Sequence, residues 1–381
     1  MTLHPTLGWM LAGVFAALGA GSLARLVSLY GKPQELVRKR VDSLKTWWVI
    51  TPTFAAAIML GQFAIAIVFA VAGGLALREY ARLVSSRTAD HDLQRIALSM
   101  IPAHYLLICF DYSTAAMLFL PIGALLVLSI SRTAAGQPDR FTHAVPSRYW
   151  GLILLVYAPS FAVMLWNIPP EKSASVGPVG WFLYLMILTE MNDIAQAFFG
   201  RHWGNRLIAP VVSPFKTWIG FYGGVATTVT LAALLAPFLT SFGGNAVSYT
   251  VAMTTGLMSA TAAGLLISII GYFGDINLSA VKRHAGVKDS GTLLPGQGGI
   301  LDRIDSLTFT ALQSGWVKIT IPGLRHFEFK LSQSRVDRLR LETVGVRASL
   351  LGALIRLGAD VLGPFDLHGF VKEDLHRVCH A

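Results

Sequence analysis

The sequence predicts an all-α protein that crosses a membrane several times: a polytopic helical bundle with about eight hydrophobic segments and a polar site facing the cytoplasm. Composition is the first observation behind this prediction. Of the 381 residues, 54% are hydrophobic and 14% are charged, whereas a soluble domain carries about 25% charged residues. The mean hydropathy is +0.56. The second observation is that long apolar runs alternate with short basic segments along the whole chain.

Each apolar run is expected to form a membrane helix. The runs lie at about 7–29, 47–77, 95–110, 113–131, 149–168, 179–199, 218–240 and 247–273. The first run has no basic segment before it, which favours a retained helix over a cleaved signal peptide. The run at 47–77 is too long for one simple span and too short for two ordinary ones. Pro52 and the Gly61-Gln62 pair are candidate breaks that would make it a tight or re-entrant hairpin.

Basic loops are expected between these runs, and they set the predicted orientation. They lie at Lys32–Lys45, Arg78–Arg95, Arg132–Arg148, Arg201–Lys216 and Gly274–Ser306. The positive-inside rule assigns them to the cytoplasmic side. The net charge of +10 is concentrated in these loops, where it can attract anionic membrane lipids and polyphosphates. Because the sequence contains no recognisable nucleic-acid-binding module, nucleic acid is excluded as a partner. The two cysteines form no plausible disulfide framework.

The segment Gly274–Ser306 gathers polar chemistry in an otherwise apolar chain. It contains a Pro-Gly-Gln-Gly-Gly turn, four aspartates and several cations: Asp275, Asp289, Asp302, Asp305, Lys282, Arg283, Lys288, Arg303 and His284. Carboxylates bind hard divalent cations, Lys and Arg bind phosphates, and glycines let a backbone approach a ligand closely. The segment therefore predicts a metal-assisted phosphate site at a membrane surface, with a solvated loop of ion pairs as the alternative. His284 is interpreted as a surface histidine.

A second polar constellation lies at Glu190–Gly224. Asp193 falls in an apolar run, where a charge costs about 2.5 to 3.5 kcal/mol unless it meets a cavity or a partner, so Asp193 is expected to face the protein interior. Ser213-Pro214 predicts a turn before a helix, which would bring Lys216 and Thr217 to the positive end of that helix, where a phosphate binds well.

The glycines divide into two groups. Gly220, Gly223 and Gly224 lie in an apolar run, where small residues usually allow helices to pack closely. Gly298 and Gly299 lie in the polar segment after Pro295, where positive φ angles can turn amide groups toward a phosphate, although a plain turn uses the same residues.

Both constellations resemble the phosphatidate cytidylyltransferase (CDP-diglyceride synthase) family. The elements of its signature are found here at Ser279, Lys282-Arg283, Lys288-Asp289, Gly298-Gly299, Asp302-Arg303 and Asp305. A second recurring block of the family is matched at Asp193, Gly200-Arg201, Ser213-Pro214, Lys216-Thr217-Trp218 and Gly223-Gly224. Two positions depart from the pattern: Gln297 replaces a usual His, and Leu278 replaces a frequent Glu.

The resemblance implies an enzyme of the cell (inner) membrane that makes CDP-diacylglycerol and pyrophosphate from CTP and phosphatidate, and it suggests a homodimer. For this reaction we expect Asp275 and Asp302 to be the principal ligands of Mg²⁺, completed or supported by Asp193 or Asp289. Phosphate clamping is expected from Lys282, Arg283, Lys288 and Arg303. The expected substrate-binding residues are Asn192, Ser213, Lys216, Thr217, Ser279, Gly298 and Gly299. Alternatives are transfer to another lipid phosphate or a polyprenol, and a non-catalytic lipid-binding protein or cation transporter.

Three parts of the chain are distinguished. Residues 1–46 form an N-terminal hydrophobic helix and basic loop, 47–311 the membrane-embedded catalytic domain, and 312–381 a basic amphipathic tail that the resemblance does not cover. Within the tail, Val344–Leu362 alternates apolar and cationic positions at helical spacing, which predicts an interfacial helix.

Overall fold

The computed structural model describes residues 5–84, 91–136, 141–169, 176–242 and 249–320. Over these ranges the chain is almost entirely helical, which confirms the all-α membrane architecture. Each of the eight predicted apolar runs coincides with helix. Six helical stretches of the described part are long and apolar enough to cross a membrane: Leu7–Ser28, Gln62–Val84, Ser113–Ala134, Phe141–Asn167, Trp218–Leu239 and Met253–His284.

The elements follow one another with short connections. The helices are α1 (Pro5–Ser28), α2 (Gln34–Leu60), α3 (Gln62–Val84), α4 (His91–Cys109), α5 (Ser113–Leu118), α6 (Leu125–Ala134), α7 (Phe141–Leu152), α8 (Ala158–Met164), α9 (Pro178–Trp203), α10 (Trp218–Leu239), α11 (Tyr249–His284) and α12 (Leu301–Thr320). Turns of π-helix at Phe119–Ala124 and Ile153–Tyr157 join α5 to α6 and α7 to α8. Strands β1 (Leu207–Ala209) and β2 (Ser213–Thr217) form an antiparallel hairpin between α9 and α10.

The run at 47–77 is a hairpin of two helices. It breaks at Gly61, whose φ of 99° is accessible to glycine without strain, whereas Pro52 lies inside α2. α2 and α3 pack against each other. Thr46 of α2 and Glu79 of α3 both bond to the segment between α11 and α12, residues 285–300, which we call the signature loop. Both flanks of the hairpin therefore lie at the same end of the bundle.

The opposite end of the bundle is marked by a second set of contacts. The side chain of Asn167 donates to the Ile108 carbonyl at 2.9 Å and to the Ser113 hydroxyl at 3.1 Å, and it accepts a hydrogen bond from Gln62. These residues border the turns after α2, α4 and α8. The polar chemistry of the signature loop thus lies at one end and this amide cluster at the other.

Several local predictions were wrong. The segments Arg78–Arg95, Arg132–Arg148 and Gly274–Ser306 were expected to be loops, but helices extend into each of them from both sides. The segment Lys32–Lys45 was expected to be a loop, but it is helical from Gln34 because apolar residues recur through it at helical spacing (Leu36, Val37, Val41 and Leu44). Ser213-Pro214 was expected to be a turn, but both residues lie in β2, where Ser213 pairs with Ala209. A prolyl residue at the rim of a two-stranded hairpin removes no obligatory ladder bond.

The predicted C-terminal tail is described only at its start. α12 continues through Ala311 to Thr320. The interfacial helix predicted at Val344–Leu362 lies outside the described residues.

Candidate active site

One face of α9 carries polar side chains against α10. Asn192, Gln196 and Gly200 are four residues apart, so they line one side of the helix, and all three are buried. A Cβ atom at Gly224 of α10 would lie 2.5 Å from Cγ of Gln196, and one at Gly220 would lie 2.7 Å from the Gln196 carbonyl oxygen. The glycines of α10 therefore permit close helix packing, as predicted.

Asn192 joins three helices. Its Oδ1 accepts hydrogen bonds from Ser268 of α11 at 2.6 Å and from Thr228 of α10 at 3.2 Å. Only its Nδ2 has no partner among the described residues. Asn192 was predicted to bind substrate. Its Oδ1 connects the helices, and its Nδ2 is free to donate a hydrogen bond to a ligand.

Lys216 lies at the centre of a half-buried ion cluster. Its Nζ is 2.6 Å from Oδ2 of Asp275, donates to Oε1 of Gln196 at 2.9 Å, and lies 5.8 Å from the ring centroid of Tyr272. Burial alone would lower the pKa of Lys216, but the carboxylates of Asp275 and Asp193 outweigh it and raise the pKa above its ordinary value. The lysine therefore presents a fixed positive charge at neutral pH.

Two hydroxyls near Lys216, those of Thr217 and Ser279, have partners within the protein. Thr217 caps α10, since its Oγ1 accepts a hydrogen bond from the amide of Gly220 at 3.2 Å. Ser279 donates to Oδ1 of Asp275 at 3.3 Å. Both were predicted to bind substrate. In the structure their hydroxyls organise the helix start and the carboxylate that flank the site.

Asp302 organises the signature loop. Its Oδ2 accepts hydrogen bonds from the amides of Ser290 and Gly299, both at 2.9 Å, and its Oδ1 pairs with Nζ of Lys282 at 2.8 Å. Burial would raise the pKa of Asp302, but the hydrogen bonds from Lys282 and from these two amides lower it below its ordinary value. The carboxylate stays ionised near neutral pH, and Oδ1, which has Lys282 as its partner, is the less occupied of its two oxygens.

The two paired glycines serve this loop in different ways. Gly298 has a φ of 89°, the positive region that the sequence predicted for a tight approach. The amide of Gly299, which was predicted to face a phosphate, donates to Asp302 instead. That expectation is corrected because a backbone N–H has one proton and Asp302 already accepts it.

Asp305 is a further carboxylate of the cluster. Burial raises its pKa well above the ordinary value, the carboxylates of Asp275 and Asp193 raise it further, and Lys282 and Arg303 lower it. Its Oδ2 is 4.0 Å from Nζ of Lys282. The carboxylates of Asp193, Asp275 and Asp305 on α9, α11 and α12 thus repel one another, which makes this region favourable for cations.

Several buried polar atoms around Lys216 have no hydrogen-bond partner among the described residues. They are Oδ1 of Asp193, Nδ2 of Asn192, Nε2 of Gln196 and the hydroxyl of Tyr272. Leaving a buried polar group unpaired costs about 1 to 3 kcal/mol. Such a concentration of free donors and acceptors is typical of a pocket that binds a polar ligand.

The residues present fit a magnesium ion that is shared with substrate. Mg²⁺ is usually held by one or two carboxylates together with water and substrate phosphates. No three His, Cys, Asp or Glu side chains of the described part come together closely enough to hold one ion. Two carboxylates can nevertheless contribute, because Asp193 has a free buried oxygen and Asp275 lies beside it in the same cluster.

The remaining predicted clamp residues lie at the rim. Arg283 donates to the carbonyl of Val287 at 2.8 Å, Lys288 lies 5.4 Å from the ring centroid of Phe215, and Arg303 is exposed. Asp289 and His284 are exposed as well. Lys216 and Lys282 are therefore fixed cations inside the site, whereas these rim cations have freedom to move toward a bound polyanion.

The two residues that depart from the family pattern both have structural partners. Leu278 is completely buried. Gln297 donates from Nε2 to the carbonyl of Ser43 at 2.8 Å and to its hydroxyl at 3.3 Å, which connects the signature loop to α2. Oε1 of Gln297 is buried and has no hydrogen-bond partner among the described residues.

Three residues of the site were missed from the sequence: Gln196, Tyr272 and Glu79. Gln196 could have been found, because it repeats the polar position of Asn192 one turn later on an apolar helix. Tyr272 resembles any interfacial tyrosine in sequence. Glu79 follows a long apolar run and looks like a helix end, although its side chain is buried under the signature loop.

Comparisons with known proteins agree with this site. A model of the cytidylyltransferase family matches residues 42–316, which include every residue of the cluster. The Escherichia coli K12 protein called "Uncharacterized protein YnbB" is 38% identical over 301 residues, covering 79% of this chain and 94% of the relative.

Relatives with a named activity are similar over shorter stretches. The "Phosphatidate cytidylyltransferase" of Brucella melitensis biotype 1 is 36% identical over 201 residues, covering 52% of this chain and 67% of the relative. That of Haemophilus influenzae is 42% identical over 128 residues, covering 33% of this chain and 41% of the relative. Because the family model spans most of the chain and the relatives are named as transferases, this protein is a multi-pass membrane nucleotidyltransferase that belongs to the cytidylyltransferase family.

Proposed function

We propose that this enzyme transfers the cytidylyl group of CTP to phosphatidate, producing CDP-diacylglycerol and pyrophosphate at the cytoplasmic face of the cell (inner) membrane. The observation that carries the proposal is the pair of ion pairs in the site: the half-buried pair of Lys216 with Asp275 and the buried pair of Lys282 with Asp302. Relatives named phosphatidate cytidylyltransferase support the choice of substrates.

The reaction needs alignment and charge neutralisation more than it needs acid–base chemistry. An oxygen of the lipid phosphate attacks the α-phosphorus of CTP, the bond from that phosphorus to the oxygen bridging to the β-phosphate breaks, and pyrophosphate leaves. A phosphate monoester is already largely ionised near neutral pH, so no general base is required. The chain has to hold two polyanions in line and offset their charge.

The acidic residues would hold Mg²⁺. Asp275 is proposed as the principal ligand, Asp302 as a second ligand through Oδ1, and Asp193 or Asp289 as the carboxylate that completes or supports the site. When bound, the ion neutralises charge on the attacking and leaving oxygens. Asp305 lies 4.0 Å from Nζ of Lys282 in the same cluster.

The cationic side chains are proposed to bind phosphate, and their positions distinguish two groups. Lys216 and Lys282 are held by carboxylates and provide fixed positive charge against the phosphates. Arg283, Lys288 and Arg303 lie at the rim and can close on the nucleotide or on the lipid headgroup. The side-chain NH₂ groups of Asn192 and Gln196, which have no partner among the described residues, are available to the same ligands.

The test is an assay of the full-length protein, purified in detergent, with CTP labelled at the α-phosphorus. Phosphatidate, a polyprenyl phosphate and diacylglycerol, which has no phosphate, are offered separately, with Mg²⁺ or with a chelator. We expect label in lipid only with phosphatidate and Mg²⁺, with one pyrophosphate released per turnover. Lys216→Gln should abolish turnover, whereas Lys45→Gln, which alters an exposed lysine paired with Asp42, should not.

Two other results would redirect the proposal. Preferential labelling of the polyprenyl phosphate would assign the enzyme to another lipid phosphate. Absence of labelled product with every acceptor, from protein that is folded and monodisperse, would favour a binding or transport function.

A further inference from the structure

We propose that Glu79 is a positioning residue of this enzyme: from membrane helix α3 it holds the signature loop and the first turn of α12 in the arrangement that substrate requires. The inference builds on the proposed function, because it concerns how two parts of the site are fixed: the loop that carries Lys288 and Asp289, and the start of α12, which carries Asp302.

The carboxylate of Glu79 is fully engaged by the signature loop and by α12. Oε1 accepts a hydrogen bond from the amide of Ile300 at 3.1 Å, and Oε2 accepts one from the amide of Leu301 at 3.0 Å. The hydroxyl of Ser290 lies 3.0 Å from Oε2. The residue is 5% exposed. Glu79 thus satisfies otherwise unpaired amides at the start of α12 and places a negative charge at the positive end of its dipole.

The loop is shaped to fit this carboxylate. A Cβ atom at Gly299 would overlap Oε2 of Glu79, and one at Gly291 would lie 2.9 Å from Oε1. Glycine at both positions lets the loop backbone close over the side chain. The contact therefore depends on loop and helix together, although the partners are more than 200 residues apart in the chain.

Glu79 is connected to the predicted metal ligand through one side chain. The hydroxyl of Ser290 is 2.9 Å from Oδ2 of Asp302, whose Oδ1 pairs with Lys282. A shift of the loop at Glu79 would therefore move both Asp302 and the fixed cation beside it. Displacements of about 1 Å in a positioning group can cost about a hundredfold in rate.

A carboxylate is required here for a geometric reason. The two oxygens each accept an N–H from a different residue, Ile300 and Leu301. A glutamine has one oxygen and one NH₂ group, so one of the two amides would face a donor. Because both oxygens of Glu79 are occupied by the protein, the side chain acts on the site through the loop and does not contact substrate.

The experiment compares Glu79→Gln, Glu79→Ala and Ser290→Ala in the full-length protein purified in detergent. Ser160→Ala is the matched control, because it removes another buried hydrogen bond, 2.8 Å long to His104, from a hydroxyl on α8 whose other partner is the Tyr157 carbonyl. Three quantities are measured: the monodisperse fraction, the KM for CTP, and amide hydrogen exchange over residues 288–304. A purely structural loss lowers the amount of active protein and leaves KM unchanged.

We expect Glu79→Gln to raise the KM for CTP about fivefold, and Glu79→Ala to raise it further, with kcat reduced by at least about tenfold. Exchange at Ile300 and Leu301 should accelerate about tenfold in both variants and stay unchanged in Ser160→Ala. Unchanged KM and unchanged exchange in Glu79→Ala would overturn the inference.

The exchange measurement separates this inference from the proposed function. If the wild-type protein has no cytidylyltransferase activity but Glu79→Gln still loosens residues 288–304, the proposed function fails and the anchoring role stands. If activity is present and the variants match Ser160→Ala in KM and in exchange, the proposed function stands and the anchoring role fails.

Discussion

At the scale of single residues, the aspartates of the site differ in how many of their oxygens already have hydrogen-bond partners. Asp302 accepts two backbone amides and a lysine, so most of its hydrogen-bonding capacity belongs to the signature loop. Asp275 has two side-chain partners, Lys216 and Ser279. Asp193 keeps one buried oxygen without a partner in the described part. The ability to receive an ion therefore rises from Asp302 to Asp193.

Replacement of the predicted ligands tests this assignment. Asp275→Ala and Asp302→Ala should each lose turnover while the protein still inserts and folds, and Asn at either position should rescue little. Turnover in Asp302→Ala is expected to fall below a tenth of wild type, which corresponds to more than about 1.4 kcal/mol in the barrier. Activity is normalised to the monodisperse fraction, because removing one partner of a buried ion pair also destabilises the fold. Activity above a tenth would remove Asp302 from the metal site.

Gln297 provides a second test at this scale. Its amide donates to Ser43, so we expect it to position the loop and not to protonate the leaving pyrophosphate. Gln297→His should change kcat by less than about tenfold, or roughly 1.4 kcal/mol. The measurement is the pH profile of kcat in both proteins. A hundredfold gain with a new titration between about pH 6 and 7 would show that the position can host a catalytic acid.

At the scale of elements, close packing of α9 and α10 shapes the site. A Cβ atom at Gly224 would meet Cγ of Gln196 at 2.5 Å and Oδ1 of Asn192 at 3.0 Å. Both neighbours are buried and hold other contacts, so neither can move freely. The separation of these two helices therefore controls the side chains that surround Lys216.

Replacing each of two helical glycines by alanine separates the effect of α9–α10 packing from the effect of helix propensity. Gly224→Ala should destabilise the protein by about 1 to 3 kcal/mol through overpacking and should lower turnover. Gly74→Ala on α3 is the matched control, because its Cβ would meet only side-chain atoms at 3.7 Å or more. Thermal unfolding in detergent and turnover are measured for both. Equal behaviour of the two variants would mean that the α9–α10 spacing is not critical.

At the scale of the whole molecule, the bundle has a polar end and an opposite end. The hairpin of β1 and β2, the signature loop and the start of α2 lie at the polar end, and Asp111 follows α4 at the other. The basic excess at the polar end predicts that it faces the cytoplasm.

Cysteine labelling in intact cells checks this orientation. Arg206 and Lys288 are exposed at the polar end, and Asp111 is exposed at the other. In a protein whose native cysteines are replaced, Cys at 206 and at 288 should react only from the cytoplasm, and Cys at 111 only from outside. Labelling of 206 and 288 from opposite sides would contradict a site built from both segments.

The sequence by itself determined the membrane class, the positions of the apolar helices and the two constellations that meet in the site. Hydrophobicity over about twenty residues is a local property, and so is the spacing of a motif, which is why both are legible in one chain. Packing of Gly220 and Gly224 was also predictable, because small residues in an apolar run have few other uses.

Only the tertiary structure decided which polar atoms are hydrogen-bonded within the protein and which remain free to bind a ligand. Thr217, Ser279 and Gly299 carry groups that could bind phosphate, but each makes a hydrogen bond within the protein. The hydroxyl of Thr217 accepts from the amide of Gly220, the hydroxyl of Ser279 donates to Asp275, and the amide of Gly299 donates to Asp302. Glu79 has no motif, yet it holds the signature loop from more than 200 residues away. A hydrogen bond forms only when donor and acceptor lie within a few tenths of an ångström of the ideal distance of about 2.9 Å, and groups far apart in sequence reach that distance only once the helices have packed.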